Sequence, residues 1–198
     1  MRIPALSLCF ALLLGAASAS AEEAPRPVTS AQLEAVVAGE VLVEARQGDV
    51  NRGQVIGLVN APIALVTEIV LDTGTHDRWF PDMVESDSVS GSMHTGRTHL
   101  PLLRDRYWRL HDVHERVAHQ GATCEVMRYS YDETYEEGNM EVLHGYWILC
   151  PHGDDTVVKY VINADLGVWL PGPVVTWAQR KMLPGIIEGL NEEADRRR

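Results

Sequence analysis

Between residues 91 and 164 the chain carries five strand-like stretches in a row, and no other feature constrains its fold as much. They span 93–100, 106–117, 123–131, 141–150 and 156–164. Gln120-Gly121, Glu137-Gly138-Asn139 and His152-Gly153-Asp154 supply turn chemistry between the later ones. Parallel neighbours need a crossover of about a dozen residues or more, and these gaps are too short for one. An antiparallel meander is the topology that remains. Such a sheet needs one face covered, and the tail can cover it. Over 173–194, Val174, Ala178, Met182, Ile186 and Leu190 recur every four positions and form one apolar helix face. Pro184 removes a backbone donor and is expected to bend that helix. A single long helix across a curved sheet leaves a gap that side chains do not fill. The expectation is an α+β chain with an internal cavity.

Upstream, 41–46 and 54–59 read as a hairpin around the turn 48–53. Asn60-Ala61-Pro62 is the expected start of a helix reaching Leu71, since Asn caps backbone N–H groups and Pro tolerates the first turn. Gly74 breaks the pattern, then Trp79-Phe80-Pro81 and an alternating stretch, 83–89, follow. Ser30 is expected to cap a short helix over 31–37 behind a proline-bearing leader. There is no internal repeat and no low-complexity tract.

With 198 residues, 45% hydrophobic and 23% charged, the chain suits one folded domain and not a disordered segment. A net charge of −11 argues against nucleic acid as a partner and against a polybasic membrane anchor. Residues 1–21 read as a signal peptide. A basic start at Arg2 precedes an apolar run, 5–15, and Ala19-Ser20-Ala21 fits the small-x-small cleavage rule. That run is shorter than the roughly 20 residues of a membrane span. Large Leu8 before Cys9 does not suit a lipoprotein. Export implies a periplasmic or secreted location and a mature chain from Glu22. It also leaves two cysteines, Cys124 and Cys150, in an oxidising compartment. The expected organisation is signal peptide 1–21, leader and short helix 22–38, ligand-binding domain 39–194 and basic tail 195–198. Arg196-Arg197-Arg198 suits the negative end of the helix dipole and reads as a solvated end.

Several loose motifs in this order resemble the START-related superfamily, also called SRPBCC or helix-grip proteins. Val59-Asn60-Ala61-Pro62 through Leu71-Asp72 resembles its first helix, and Trp79-Phe80-Pro81-Asp82-Met83 the segment before the next strand. Arg104-Asp105-Arg106-Tyr107-Trp108 resembles a strand opening, and Gly145-Tyr146-Trp147-Ile148-Leu149 with Pro151 the late strand. Asp165-Leu166-Gly167-Val168-Trp169-Leu170-Pro171 resembles the bridge into the final helix. The resemblance covers roughly 39–190, most of the chain. It implies a helix-grip fold with a hydrophobic-ligand cavity between sheet and C-terminal helix. Members bind lipids, sterols, quinones or polyketides, and a minority are enzymes such as aromatase/cyclases. The export signal departs from the many cytosolic members.

A turn centred on Glu137 places Cys124 opposite Cys150, Val126 opposite Ile148 and Arg128 opposite Tyr146. Cysteines facing each other there are within disulfide reach, the alternative being two buried thiols. The register defines two faces, both rich in large residues. One carries Cys124, Val126, Arg128, Tyr146, Ile148 and Cys150, joined by Val158, Tyr160 and Ile162. It is assigned inward because Glu125 and Lys159, set on the other face with Met127, Tyr129, Trp147 and Leu149, suit water. Inward, Arg128 needs a partner, either a ligand carboxylate, phosphate or quinone oxygen or an internal ion pair. The expected ligand-binding residues are therefore Val126, Arg128, Tyr146, Ile148, Val158, Tyr160 and Ile162 on the sheet. Val174, Ala178 and Met182 join them from the helix, and Trp79 and Tyr107 serve as walls.

Chemistry-bearing motifs are absent. There is no Gly-x-Ser-x-Gly elbow, phosphate loop or dinucleotide glycine motif, so no catalytic residue and no cofactor is assigned. His111 and His114 would share a helix face, but in a strand they point oppositely, as do His94 and His99, which argues against a metal. The expected partner is a hydrophobic small molecule, and transient membrane contact is compatible with that. A cyclase or isomerase on the same fold would draw on Arg128, His144, Tyr146 and Tyr160. An interaction domain with little cavity would instead expose a patch around Tyr129 and Trp147.

Overall fold

Val, Ile, Tyr and Trp crowd the segments 142–152 and 155–165, and such side chains pack well on a pleated surface. They form the centre of an eight-stranded antiparallel sheet in a computed structural model that describes residues 24–100 and 103–198. The proposed signal peptide and the start of the leader lie outside the described residues.

The order is α1 (Ser30–Val37), β1 (Leu42–Arg46), β2 (Asn51–Val59) and α2 (Ile63–Leu71), then a 3-10 turn (Thr73–Arg78). Six strands follow: β3 (Met83–Ser90), β4 (Met93–Thr98), β5 (Arg106–His119), β6 (Ala122–Tyr131), β7 (Val142–His152) and β8 (Asp155–Asp165). The chain closes with α3 (Gly172–Met182) and α4 (Pro184–Arg197). Strand order is β1-β2-β8-β7-β6-β5-β4-β3, so β3 to β8 form the expected meander and the β1–β2 hairpin returns beside β8. The β6–β7 register is the expected one, with Val126 opposite Ile148 and Arg128 opposite Tyr146. Cys124 and Cys150 are disulfide-bonded, their Cα atoms 4.4 Å apart. This is the spacing of a directly opposed, non-hydrogen-bonded pair.

Three local expectations are corrected. Thr29, not Ser30, caps α1, in a reciprocal capping box with Gln32. Asn60 does not cap α2, whose N-cap is Pro62; instead the Asn60 N–H donates to Asn191 of α4 at 2.9 Å. The C-terminal helix divides at Pro184, where the bend is expected, and its four-spaced apolar residues do not share one buried face. Leu183 separates α3 from α4, because Pro184 has no N–H to continue the ladder. Of the four-spaced apolar face, Ile186 and Leu190 are buried while Val174 stays exposed, since α3 swings toward β1. There Gln47 Nε2 donates to Thr176 at 2.6 Å.

α2 and α4 cover the inner face of the sheet. Val66, Ile69, Ile186, Ile187 and Leu190 pack with Val55, Leu149 and Val158 in the main core. Gly189 permits the approach, because a Cβ there would overlap the Trp79 carbonyl. In the basic tail Arg196 and Arg198 are exposed as expected, but Arg197 is not. Arg197 bonds Glu193 at 2.7 Å and Asp72 at 2.9 Å, which ties the end of α4 to the end of α2. Arg196 also holds Glu193, at 2.5 Å, so this buried carboxylate is fully paired.

The outer face is apolar as well. α1 and the preceding segment bury Val28 and Val36 against Ile56 and Val157. Cys124, Val126, Tyr146, Ile148, Cys150 and Val161 form a separate buried cluster there.

Candidate ligand cavity

Side chains of β5 to β8 alternate in and out, and the inward set decides what the cavity is made of. Trp108 and Leu110 come from β5, Met127 and Tyr129 from β6, Leu143 and Trp147 from β7, Tyr160 and Ile162 from β8. Phe80, Pro81 and Met83 close one side, and Met182 at the end of α3 another. Together they enclose about 280 Å³. The walls are mostly apolar. Trp147 and Tyr160 have ring centroids 4.3 Å apart, and Phe80 stands edge-on to both at 6.3 and 5.8 Å. Trp108 packs against Gly96, where any Cβ would overlap its indole, and its Nε1 donates to Thr98 at 3.1 Å.

A few polar groups interrupt this wall. The Tyr129 hydroxyl donates to the Val161 carbonyl at 3.0 Å and lies 2.9 Å from the Tyr160 hydroxyl. Burial pushes both phenols well above the usual tyrosine range. His76 places Nε2 3.0 Å from the Val70 carbonyl, so Nε2 carries the hydrogen. Burial, with the His94 ring beside it, lowers its pKa to about 4. His94 Nδ1 lies 2.5 Å from the Asp112 carboxylate. That contact sets Nδ1 as the donor to Asp112 and leaves Nε2 as the ring nitrogen not engaged by it. Arg106, buried in its strand opening, completes the set.

The expected site residues divide. Tyr160, Ile162 and Met182 line the cavity, and Trp79 and Val158 sit in the core that adjoins it. Val126, Tyr146 and Ile148 are on the opposite face, in the outer cluster. Arg128 pairs with Glu115 at 2.6 Å there, and His144 has the same parity, so neither meets the cavity. Tyr107 is half-exposed on the outer side of β5, Val174 is exposed and Ala178 lies outside the cavity wall.

The inward assignment failed on its two charges. Glu125 is on the inner face, where His114 and Arg116 bond it at 2.7 and 2.9 Å. Lys159 pairs with Ile148 on the outer face, and its Nζ donates to the Arg26 carbonyl at 2.8 Å. Tyr129 and Trp147 are therefore buried walls, not the exposed patch an interaction domain would present. Sequence reasoning gave no cavity role to Arg106 or His76, and weighed His94 only as a metal ligand. For Arg106 the signal was its parity, in phase with Trp108 and Leu110.

No family model matches the sequence, and no curated protein matches it. Solved structures do. A STAR-related lipid transfer protein from Xanthomonas axonopodis is 18% identical, with a TM-score of 0.67, over 78% of this chain and 93% of that one. The chain has a START-like, helix-grip fold. Human StAR-related lipid transfer protein 5 shares this START-like architecture at 14% identity and a TM-score of 0.61, over 84% of this chain and 94% of that one. An aromatase/cyclase from a Streptomyces species also matches at 14% identity and a TM-score of 0.51, over 75% and 95% of the two chains.

Proposed function

We propose that this START-like chain is an exported protein that binds or carries one hydrophobic small molecule between its sheet and its C-terminal helices. The observation that carries the reading is the cavity itself, about 280 Å³ walled by Trp, Tyr, Phe, Met and Leu side chains with only a few polar groups. Small-molecule sites have this make-up, and the volume falls just below their usual range of roughly 300–1,000 Å³. A single-chain or compact ring-bearing ligand suits it better than a two-chain phospholipid. Lipids, quinones, sterols and polyketide-like molecules fall in this class. The similar structures include proteins named for lipid transfer, in keeping with it.

Export is supported by the amino-terminal pattern and by the Cys124–Cys150 disulfide, which persists in oxidising compartments. No helix of the described residues is long and apolar enough to cross a membrane. Transient membrane contact is supported by Trp169, just before α3, and Trp177, in the middle of it, 86% and 61% exposed. The experiment is native mass spectrometry of protein purified from its own periplasm or medium, followed by organic extraction. A stoichiometric lipid or quinone is expected. Protein that emerges empty and takes up none of these classes contradicts the carrier reading.

A second reading rests on one observation. The His94–Asp112 pair on the cavity wall is the arrangement a general base requires, so a cyclase or isomerase would use it rather than Arg128, His144 and Tyr146. Turnover of a polyketide-like substrate that His94→Gln abolishes would favour the enzyme.

A further inference from the structure

Arg106 is the one cation among the described residues that is both buried and on the cavity wall, with 6% of its surface exposed. Its Nη1 donates to the Arg104 carbonyl at 3.2 Å, and its Nε has no partner. No carboxylate among the described residues pairs with it. Its chain neighbour Asp105 is taken up by Arg97 at 2.6 Å and His99 at 2.9 Å. The cavity's own carboxylate, Asp112, is six residues further along β5, roughly 20 Å away at strand spacing, and is held by His94. A guanidinium keeps its charge in proteins, and burying one without a counter-ion is costly. Trp108 and Leu110 separate the two polar ends with apolar wall.

We propose that Arg106 is an anchor for the anionic head of an amphiphile whose apolar body fills the rest of the cavity. The inference rests on the hydrophobic-ligand reading and narrows its ligand class to a single-chain molecule bearing a carboxylate or phosphate. Its planar fork of donors, with Nε still free, matches either oxyanion. The small volume favours one chain over two.

The test compares probes that differ only in the head, on the full chain at a pH that keeps the acids ionised. Fluorescence of the wall residues Trp108 and Trp147 reports occupancy. Palmitate is titrated against hexadecanol, and lysophosphatidic acid against monoacylglycerol. At least one anionic probe is expected to bind roughly tenfold to a hundredfold tighter than its neutral partner. Which pair shows the difference tells carboxylate from phosphate. Arg106→Met is expected to erase the preference, so that charged and neutral probes of each pair bind with equal affinity. Without ligand that variant should melt no lower than the parent, because an unpaired buried charge has gone. Equal affinity for charged and neutral probes in both pairs overturns the anchor and leaves the hydrophobic cavity standing. Failure of all four probes to bind overturns both. A preference that survives in Arg106→Met assigns it elsewhere and also overturns the anchor. The unsubstituted protein decides the matter if Arg106→Met does not fold.

Discussion

Trp147 packs its ring against Tyr160 on the cavity wall, while Ile148, the next residue, lies in the outer cluster. Parity along β7 therefore separates binding from stability, and two substitutions should show it. Leu143→Trp fills the cavity; it is expected to cut ligand affinity at least about tenfold while the fold persists. Ile148→Ala is expected to cost about 2–5 kcal/mol of stability in urea unfolding and leave affinity in the folded protein unchanged. The reverse pattern would put the ligand on the outer face. His76 adds a pH effect. Its folded pKa, about 4, is below the unfolded value of 6.5, so the unfolded chain takes up the proton first. Stability is full above pH 6.5 and falls as pH drops toward 4, by roughly 3 kcal/mol in all. Melting temperatures across that window should decline, and His76→Gln should flatten the decline.

Between elements, two ties hold the sheet and its cover. The disulfide joins β6 to β7 across a separation of 26 residues, and a chain-entropy argument gives it about 3.5 kcal/mol. Cys124→Ala with Cys150→Ala should lower the melting temperature by roughly 5–15 °C. Arg197 ties α4 to α2, and Glu193 is held below the usual carboxylate range: burial raises its pKa, but bonds from Arg197 and Arg196 outweigh that. Arg197→Ala should cost about 1–3 kcal/mol, read as a lower urea midpoint. Elements of this kind were largely legible. Turn residues and alternation located the strands, and one turn centre fixed the β6–β7 register and with it the disulfide. Which face looks inward was not legible from β6 and β7, because α1 and its leader make the outer face as apolar as the inner one. Parity argued from Glu125 and Lys159 failed because each charge has a partner in the fold, His114 and Arg116 for one and the Arg26 carbonyl for the other. Arg197 read as a solvated tail because two of its partners, Glu68 and Asp72, are more than a hundred residues away in sequence.

At the scale of the molecule, the sheet curves around α2 and α4 but is not filled by them, and the unfilled volume is where function is proposed. A ligand that binds only the folded state should stabilise it by about 2.7 kcal/mol at a hundredfold excess over Kd. Methionines offer a direct way to see where such a ligand sits. Met83, Met127, Met140 and Met182 line the cavity, whereas Met93 does not. Methyl-labelled methionine NMR during titration with a single-chain lipid would read all five positions at once. The prediction is that the four cavity methyls shift together with one saturation point while Met93 stays still. Shifts confined to Met93, or no shift at saturating lipid, would contradict a ligand held between the sheet and its C-terminal helices.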